Sequence, residues 1–339
     1  MITGVPAEAR WIRPEPRRTL PSSLVGRIVR LAFPQCSVVN AQPLTEGLRN
    51  ANFRLRLDST PEFIVLRIYE HDASLCQKEL DLLGLLAGSV PVPEVLHAAP
   101  CGWEGIPPFV LMRYVDGVSF HELKRSGDSE AIAQAAYSVG EALASTGRNT
   151  FAKPGWLGPG PSVTVPLFEG VDAIPHFVDL CLDSPDLQRR MQTDLRDRTH
   201  ALMWSWTERL NHLAREACLV HGDFGKRNLL VNNIAGRWSV AAVLDWEFAV
   251  SGSPLADLGH FLRYERVMRP TAEPYFSQGY RNAGGLLPEN WRELARLLDL
   301  VALCESLTHA ELPEAVVAEL IELVCATGEN RDPRCCPRR

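Results

Sequence analysis

At 339 residues, with 46% hydrophobic and 22% charged side chains, the chain is long enough for two cores or one large bilobal body, and it needs no metal or disulfide staple. A formal charge of −6 and a pI near 5.9 argue against a general nucleic-acid binder, which needs a basic face to displace counterions from phosphates. The nine cysteines are scattered, odd in number and free of C-x-x-C pairs at zinc spacing. There is no apolar leader and no membrane-length apolar run, so the expectation is a cytoplasmic protein with reduced thiols and no membrane partner.

In chain order, residues 1–26 are rich in proline and arginine and read as a loosely held extension. Residues 27–114 read as a small β-rich lobe. "NFRLRL" (Asn52 to Leu57) alternates polar and apolar residues, "FIVLRI" (Phe63 to Ile68) is mostly apolar, and "STPE" between them is a turn, which together predict a hairpin. "LCQKELDLLGLLAG" changes to helical periodicity and stops at Gly88, ahead of the prolines of "PVPEVLH". A further strand, "PFVLMRYV", ends at Asp116-Gly117.

Residues 115–339 read as a larger, mainly helical lobe, with the joint near residues 113–118. Helical runs are expected in "SEAIAQAAYSVGEALAST", in one long stretch from Leu187 to Ala217, in "NWRELARLLDLVALCESL" and in "PEAVVAELIELVCA". "KPGWLGPGPS" interrupts the first two. The fold class expected is therefore α+β and bilobal. The terminal "RDPRCCPRR" reads as a basic tail, and nothing in the sequence gives the oligomeric state.

The chemistry concentrates in "CLVHGDFGKRNLLV", where His221, Asp223, Lys226, Arg227 and Asn228 lie between two apolar segments. A polar loop pinned at both ends is held rigidly, as a catalytic loop must be. Further on, "SVAAVLDWEF" is a second apolar strand ending in Asp245. Two strands delivering Asp223, Asn228 and Asp245 to one edge make an acidic end suited to Mg²⁺, which takes oxygen ligands and keeps phosphate oxygens and water. The spacing matches phosphoryl transfer in kinases: an aspartate, four residues, an asparagine, then an aspartate after the next strand. His221 reads as a loop brace rather than a base, because an aspartate already fills the acceptor position. Lys226 is either a solvated loop charge or a contact to the γ-phosphate. Trp246 reads as packing and Glu247 as a spare carboxylate near the metal.

These residues resemble the aminoglycoside phosphotransferase/choline kinase superfamily, the small-molecule branch of the protein-kinase-like fold, over roughly Leu44 to Phe261. The resemblance implies that "LTEGLRNANFRLRL" covers the nucleotide phosphates, with Gly47 and Asn50 in place of a three-glycine loop. It places Arg67 of "VLRI" on the phosphates, where many members carry lysine, and Glu79 of "CQKELDLL" as its partner. It makes "VLMRYVDG" the adenine linker, with Met112 backing the ring and the backbone of Arg113 and Val115 bonding it. It makes Asp223 the catalytic acceptor, Asn228 and Asp245 the Mg²⁺ ligands, and Asp257 of "SPLADLGHF" a brace for the loop.

The function expected on this basis is an ATP- and Mg²⁺-dependent kinase of a hydroxylated small molecule, with an aminoglycoside or related antibiotic as first choice. Choline, homoserine, methylthioribose, a macrolide or a sugar stay open as acceptors, as does GTP in place of ATP. The rivals are a nucleotide-binding module without transfer activity and a metal-dependent hydrolase using His221, Asp223 and Asp245. The chain lacks G-x-x-x-x-G-K-[ST] and G-x-S-x-G, which removes P-loop and serine-hydrolase chemistry.

Overall fold

The structure, a computed structural model, describes residues 20–44, 50–58, 62–70 and 72–328. Gly47, the proline- and arginine-rich start of the chain, and the Cys335-Cys336 tail lie outside the described residues. The expected α+β, two-lobed architecture is observed.

The first lobe contains α1 (Ser22–Ala32), β1 (Val38–Pro43), β2 (Ala51–Leu57), β3 (Phe63–Ile68), α2 (Ser74–Leu86), β4 (Val95–Ala99) and β5 (Phe109–Arg113). The strands form an antiparallel sheet in the order β1-β2-β3-β5-β4. The expected hairpin is β2–β3, with Asn52 opposite Arg67 and Arg56 opposite Phe63. Alternation in β2 sends Phe53, Leu55 and Leu57 into one core with Val25, Ile28 and Val29 of α1. Helix α1 begins ahead of the boundary expected at Arg27 and was not anticipated. Its apolar residues stand three and four apart, the spacing of one buried helical face.

The second lobe opens with β6 (Val118–Ser119), α3 (Phe120–Ser126) and α4 (Ser129–Gly147). Ser119 and Glu122 close a capping box at the start of α3, which fixes the chain as it leaves the inter-lobe linker. There follow β7 (Gly155–Gly158), β8 (Ser162–Val165), α5 (Ala173–Leu182), α6 (Pro185–Arg190), α7 (Thr193–Ser205), α8 (Thr207–Leu213), β9 (Cys218–Val220), β10 (Leu229–Ile234), β11 (Arg237–Val243), a 3-10 turn at Trp246–Phe248, β12 (Val250–Gly252), α9 (Leu255–Leu262), α10 (Tyr275–Asn282), α11 (Trp291–Ser306) and α12 (Glu314–Gly328).

Two expectations are corrected here. The single long helix expected from Leu187 to Ala217 is three helices, because Met191 is buried in an extended conformation (φ −118°, ψ 127°) between α6 and α7, and Trp206 separates α7 from α8. The glycine- and proline-rich interruption "KPGWLGPGPS" is not a plain loop. It supplies β7 and the start of β8, in a sheet ordered β8-β7-β12-β9. A separate three-stranded sheet, β11-β10-β6, ties the linker to the hairpin that carries the acidic residues. No helix among the described residues is long and apolar enough to cross a membrane, and the seven described cysteines form no disulfide.

Candidate active site

The polar loop between β9 and β10 is anchored from below. Asp257, at the start of α9, accepts the backbone N–H of His221 at 2.7 Å and of Gly222 at 3.0 Å. Burial pushes this carboxyl up to about 7, although both donors pull the other way. Gly222 has φ +81°, and a Cβ there would stand 2.3 Å from the carbonyl oxygen of Phe248, so the turn admits only glycine. The brace expected of Asp257 is therefore visible as two hydrogen bonds.

His221 is fully buried. Its Nε2 lies 2.8 Å from the carbonyl of Leu244, and its Nδ1 accepts the N–H of Asp223 at 3.1 Å. These partners require the neutral ring protonated on Nε2. Burial is the main reason its pKa falls to about 4. The imidazole thus links the loop to the end of β11 and is a brace. It does not face the cleft as a base.

Asp223 keeps a partly exposed carboxylate. Asn228 Nδ2 donates to its Oδ2 at 2.9 Å and to its carbonyl at 2.9 Å, and His260 Nε2 stands 3.4 Å from Oδ1. Burial, reinforced by Arg263, holds His260 well below its usual value, which leaves the ring neutral. Because both donor contacts belong to Nδ2, the Oδ1 atom of Asn228 is turned elsewhere and remains an oxygen donor for a cation.

Asp245 reaches the same end of the hairpin by strand pairing. Leu229 pairs with Val243, and the N–H of Leu244 donates to the carbonyl of Asn228 at 2.8 Å. Asp245 itself takes a left-handed backbone, φ 67° and ψ 65°, unusual for a residue with a side chain. The surrounding contacts hold it there. Arg67 Nη2 meets its Oδ1 at 2.5 Å, and the next N–H, of Trp246, donates to Glu79 Oε1 at 3.2 Å.

Arg67 completes the site from the other lobe. Its Nε lies 3.1 Å from Glu79 Oε2, and Glu79 also accepts the hydroxyl of Tyr69. Burial works against the charge of Arg67, but Glu79 and Asp245 outweigh it and hold the guanidinium well above its usual value. Arg67 and Glu79 are not a solvated surface pair, since both side chains are buried.

Between the lobes lies a cavity of about 330 Å³, lined by Arg67, Glu79 and Asp245 at one end and by Met112, Arg113 and Val115 at the other. The side chain of Arg113 turns away to the exposed acids Glu62 and Glu94, so only its backbone is free to serve the cleft.

Lys226 requires correction. It neither points at the cleft nor lies in solvent: the side chain is 1% exposed, its ammonium donates to the carbonyl of Phe261, stands 3.6 Å from Glu265, and lies 4.9 Å over the ring of Phe261. Two positions before Asn228, its side chain is sent into the core beneath the loop. Sequence reasoning also undervalued Glu247 and missed Lys78. Asn50 Nδ2 donates to Glu247 Oε2 at 3.0 Å, and Lys78 Nζ donates to the Glu247 carbonyl at 2.7 Å. Burial lowers Lys78 to about 8. A lysine beside Glu79 on a helix whose other face is apolar was the available signal.

Among the described residues, no group of three or more His, Cys, Asp or Glu side chains forms a metal cage. The oxygen atoms of Asp245 and Asn228 are a two-donor set of the hard type, which fits Mg²⁺ bound together with phosphate oxygens and water and fits a self-sufficient metal centre poorly.

Residues 40–297 match the model of the phosphotransferase enzyme family. Among curated proteins, acyl-CoA dehydrogenase family member 10 of Mus musculus is 27% identical over 277 residues, 73% of this chain and 23% of that protein. Acyl-CoA dehydrogenase family member 11 of Mus musculus is 40% identical over 75 residues, 22% of this chain and 8% of that protein. The chain spans less than a quarter of the length of these relatives. Among solved structures, aminoglycoside 2′-phosphotransferase-IIIa in its GDP complex aligns over 91% of this chain and 99% of its own at 18% identity, TM-score 0.66. A thermostable mutant of aminoglycoside phosphotransferase APH(4)-Ia, in ternary complex with AMP-PNP and hygromycin B, aligns over 90% and 97% at 20% identity, TM-score 0.63. The fold is that of the protein-kinase-like enzymes.

Proposed function

The chain belongs to the phosphotransferase enzyme family, and from that premise we propose that it moves the γ-phosphoryl group of ATP to a hydroxyl of a small molecule. The observation that carries this reading is the convergence of Asp223, Asn228 and Asp245 on one end of a hairpin, with Arg67 brought to Asp245 from the opposite lobe.

In this reading Asp223 accepts the proton of the acceptor hydroxyl, and its hydrogen bond from Asn228 holds the carboxylate in place. Asn228 Oδ1 and Asp245 hold Mg²⁺, which when bound neutralises charge on the phosphates. Arg67 contacts the phosphates, steadied by Glu79, and Asn50 belongs to the segment that covers them. The adenine lies against Met112, with the carbonyl of Arg113 and the N–H of Val115 as its hydrogen-bond partners. Most of the rate enhancement is positioning and charge stabilisation in a cleft walled off from water.

An aminoglycoside is the first acceptor class to test. The chain is acidic, which suits polycationic substrates, and APH(4)-Ia, with the same fold, is described in complex with hygromycin B. A second reading has its own support: the curated match covering most of this chain is a member of an acyl-CoA dehydrogenase family, which makes a hydroxylated acyl thioester a second acceptor class. The deciding experiment is ADP release from Mg-ATP with a panel of aminoglycosides, macrolides, choline, sugars and hydroxyacyl-CoA thioesters. Acceptor-dependent release identifies the class. No release with any hydroxylated acceptor, in a protein that binds Mg-ATP, overturns transfer in favour of a non-catalytic nucleotide-binding module.

A further inference from the structure

A second cavity, of about 300 Å³, lies where α9 meets α11 and α12. The helices touch there: a Cβ on Gly259 would stand 2.1 Å from the carbonyl oxygen of Ala295, so α9 packs on α11 backbone to backbone and the long side chains beyond it are gathered into one concavity. Five arginines line it, namely Arg263, Arg266, Arg269, Arg292 and Arg296.

The carboxylates of the same cavity are already engaged. Asp299 accepts Arg263 at 2.6 and 3.0 Å. Glu273 accepts Arg292 at 2.6 Å and the hydroxyl of Ser277 at 3.0 Å. Glu265 accepts Lys124 at 3.0 Å and the N–H of Ala272 at 2.5 Å, and stands 3.6 Å from Lys226. Arg269 and Arg296 form no ion pair among the described residues. Arg296 is also partly buried near Arg266 and Arg292, and burial with Arg266 and then Arg292 lowers its pKa against the opposite pull of Glu293. Packing guanidinium groups together in a partly desolvated hollow is unfavourable until an anion enters.

We infer that this cavity is a binding site for a phosphate-bearing ligand, separate from the inter-lobe cleft. Planar guanidinium forks meet phosphate oxygens in pairs, and a multiply charged group can satisfy several forks together, which a single carboxylate cannot. The hollow has the size of a small-ligand pocket. Arg263 joins it to the site already described: the carboxylates of Asp299 and Asp223 both act on this guanidinium and help hold it above its usual value against burial.

The test is calorimetric titration with inorganic pyrophosphate in metal-free buffer, on the full chain and on three variants. Arg296→Gln should weaken binding at this site at least tenfold. Arg269→Gln, at an exposed position, should weaken it several-fold. Arg67→Gln, which removes the phosphate contact of the inter-lobe cleft, should leave it intact, and Arg296→Gln should leave AMP-PNP binding within twofold of the parent. Unchanged pyrophosphate binding in both Arg296→Gln and Arg269→Gln, or its complete loss in Arg67→Gln, overturns the inference, because the anion would then bind in the inter-lobe cleft alone.

Discussion

The side-chain amide of Asn228 donates to both the carboxylate and the carbonyl of Asp223, each at 2.9 Å. One amide group thus fixes the orientation of Asp223 and decides which of its own atoms is left for a cation. If Asp223 is the proton acceptor, Asp223→Asn should lower turnover by about 10²–10⁴ while the affinity for Mg-ATP stays within a few-fold. Steady-state kinetics and calorimetry on that variant check this, and near-normal turnover would remove Asp223 from the role.

Asp245 is assigned to the metal. Asp245→Ala should leave a nucleotide affinity that no longer rises with magnesium, since the carboxylate between protein and cation is gone. A magnesium titration indistinguishable from the parent's would locate the metal elsewhere.

The linker chooses the nucleotide by backbone in the proposed arrangement. Val115→Pro removes one N–H donor, and a ring nitrogen left unpaired in the cleft costs roughly 1–3 kcal/mol, or about one to two decades in ATP affinity. Arg113→Ala and Tyr114→Ala control for distortion and should bind ATP nearly normally, since the Arg113 side chain is spent on Glu62 and Glu94. Undiminished ATP binding by Val115→Pro would mean that adenine does not lie at this linker.

Lys226 belongs to the core and not to the phosphates. Lys226→Met should therefore leave the KM for ATP within about twofold and lower unfolding stability by about 2–4 kcal/mol, because it strips a charged donor from the buried Glu265 and the Phe261 carbonyl. Urea melts and ATP kinetics on the same preparation give both readings. A raised KM with unchanged stability would reverse the assignment.

His221 makes stability depend on pH in a defined direction. Its folded pKa, about 4, lies below the unfolded value of about 6.5, so between the two the unfolded chain holds more protons. The contribution is present in full above pH about 6.5 and is lost as the pH falls toward 4, at most about 3 kcal/mol. Urea unfolding at several pH values should show this slope in the parent and a shallower one in His221→Asn. Parallel curves would mean that another group controls the acid limb.

The loop residues and the hairpin end were legible because they depend on local pattern: a polar cluster between apolar strands, an aspartate–asparagine spacing, and a second strand ending in Asp245. The β2–β3 hairpin was legible for the same reason, through alternation. What escaped was set by tertiary packing. Met191 is an unremarkable residue in a helical run, and only its place in the core forces the extended backbone that splits the helix. Lys226 looked like a loop charge because sequence shows neither the direction of a side chain nor the presence of Glu265 beneath it. The arginine cavity brings Arg263, Arg266 and Arg269, at and beyond the end of α9, against Arg292 and Arg296 of α11, a meeting that no local pattern in the sequence reports.

Four of the contacts that join the lobes fall on three consecutive residues. Asp245 takes Arg67, Trp246 reaches Glu79 through its N–H, and Glu247 takes Asn50 and Lys78. The middle one is an indole with no exposed surface, 4.5 Å from the ring of His221. This gives the molecule a built-in optical gauge. Separation of the lobes admits water to that indole and moves its emission to longer wavelength, and protonation of the adjacent imidazole quenches it. The difference spectrum between the parent and a Trp246→Phe variant therefore reads lobe separation and loop integrity from within, with no attached dye.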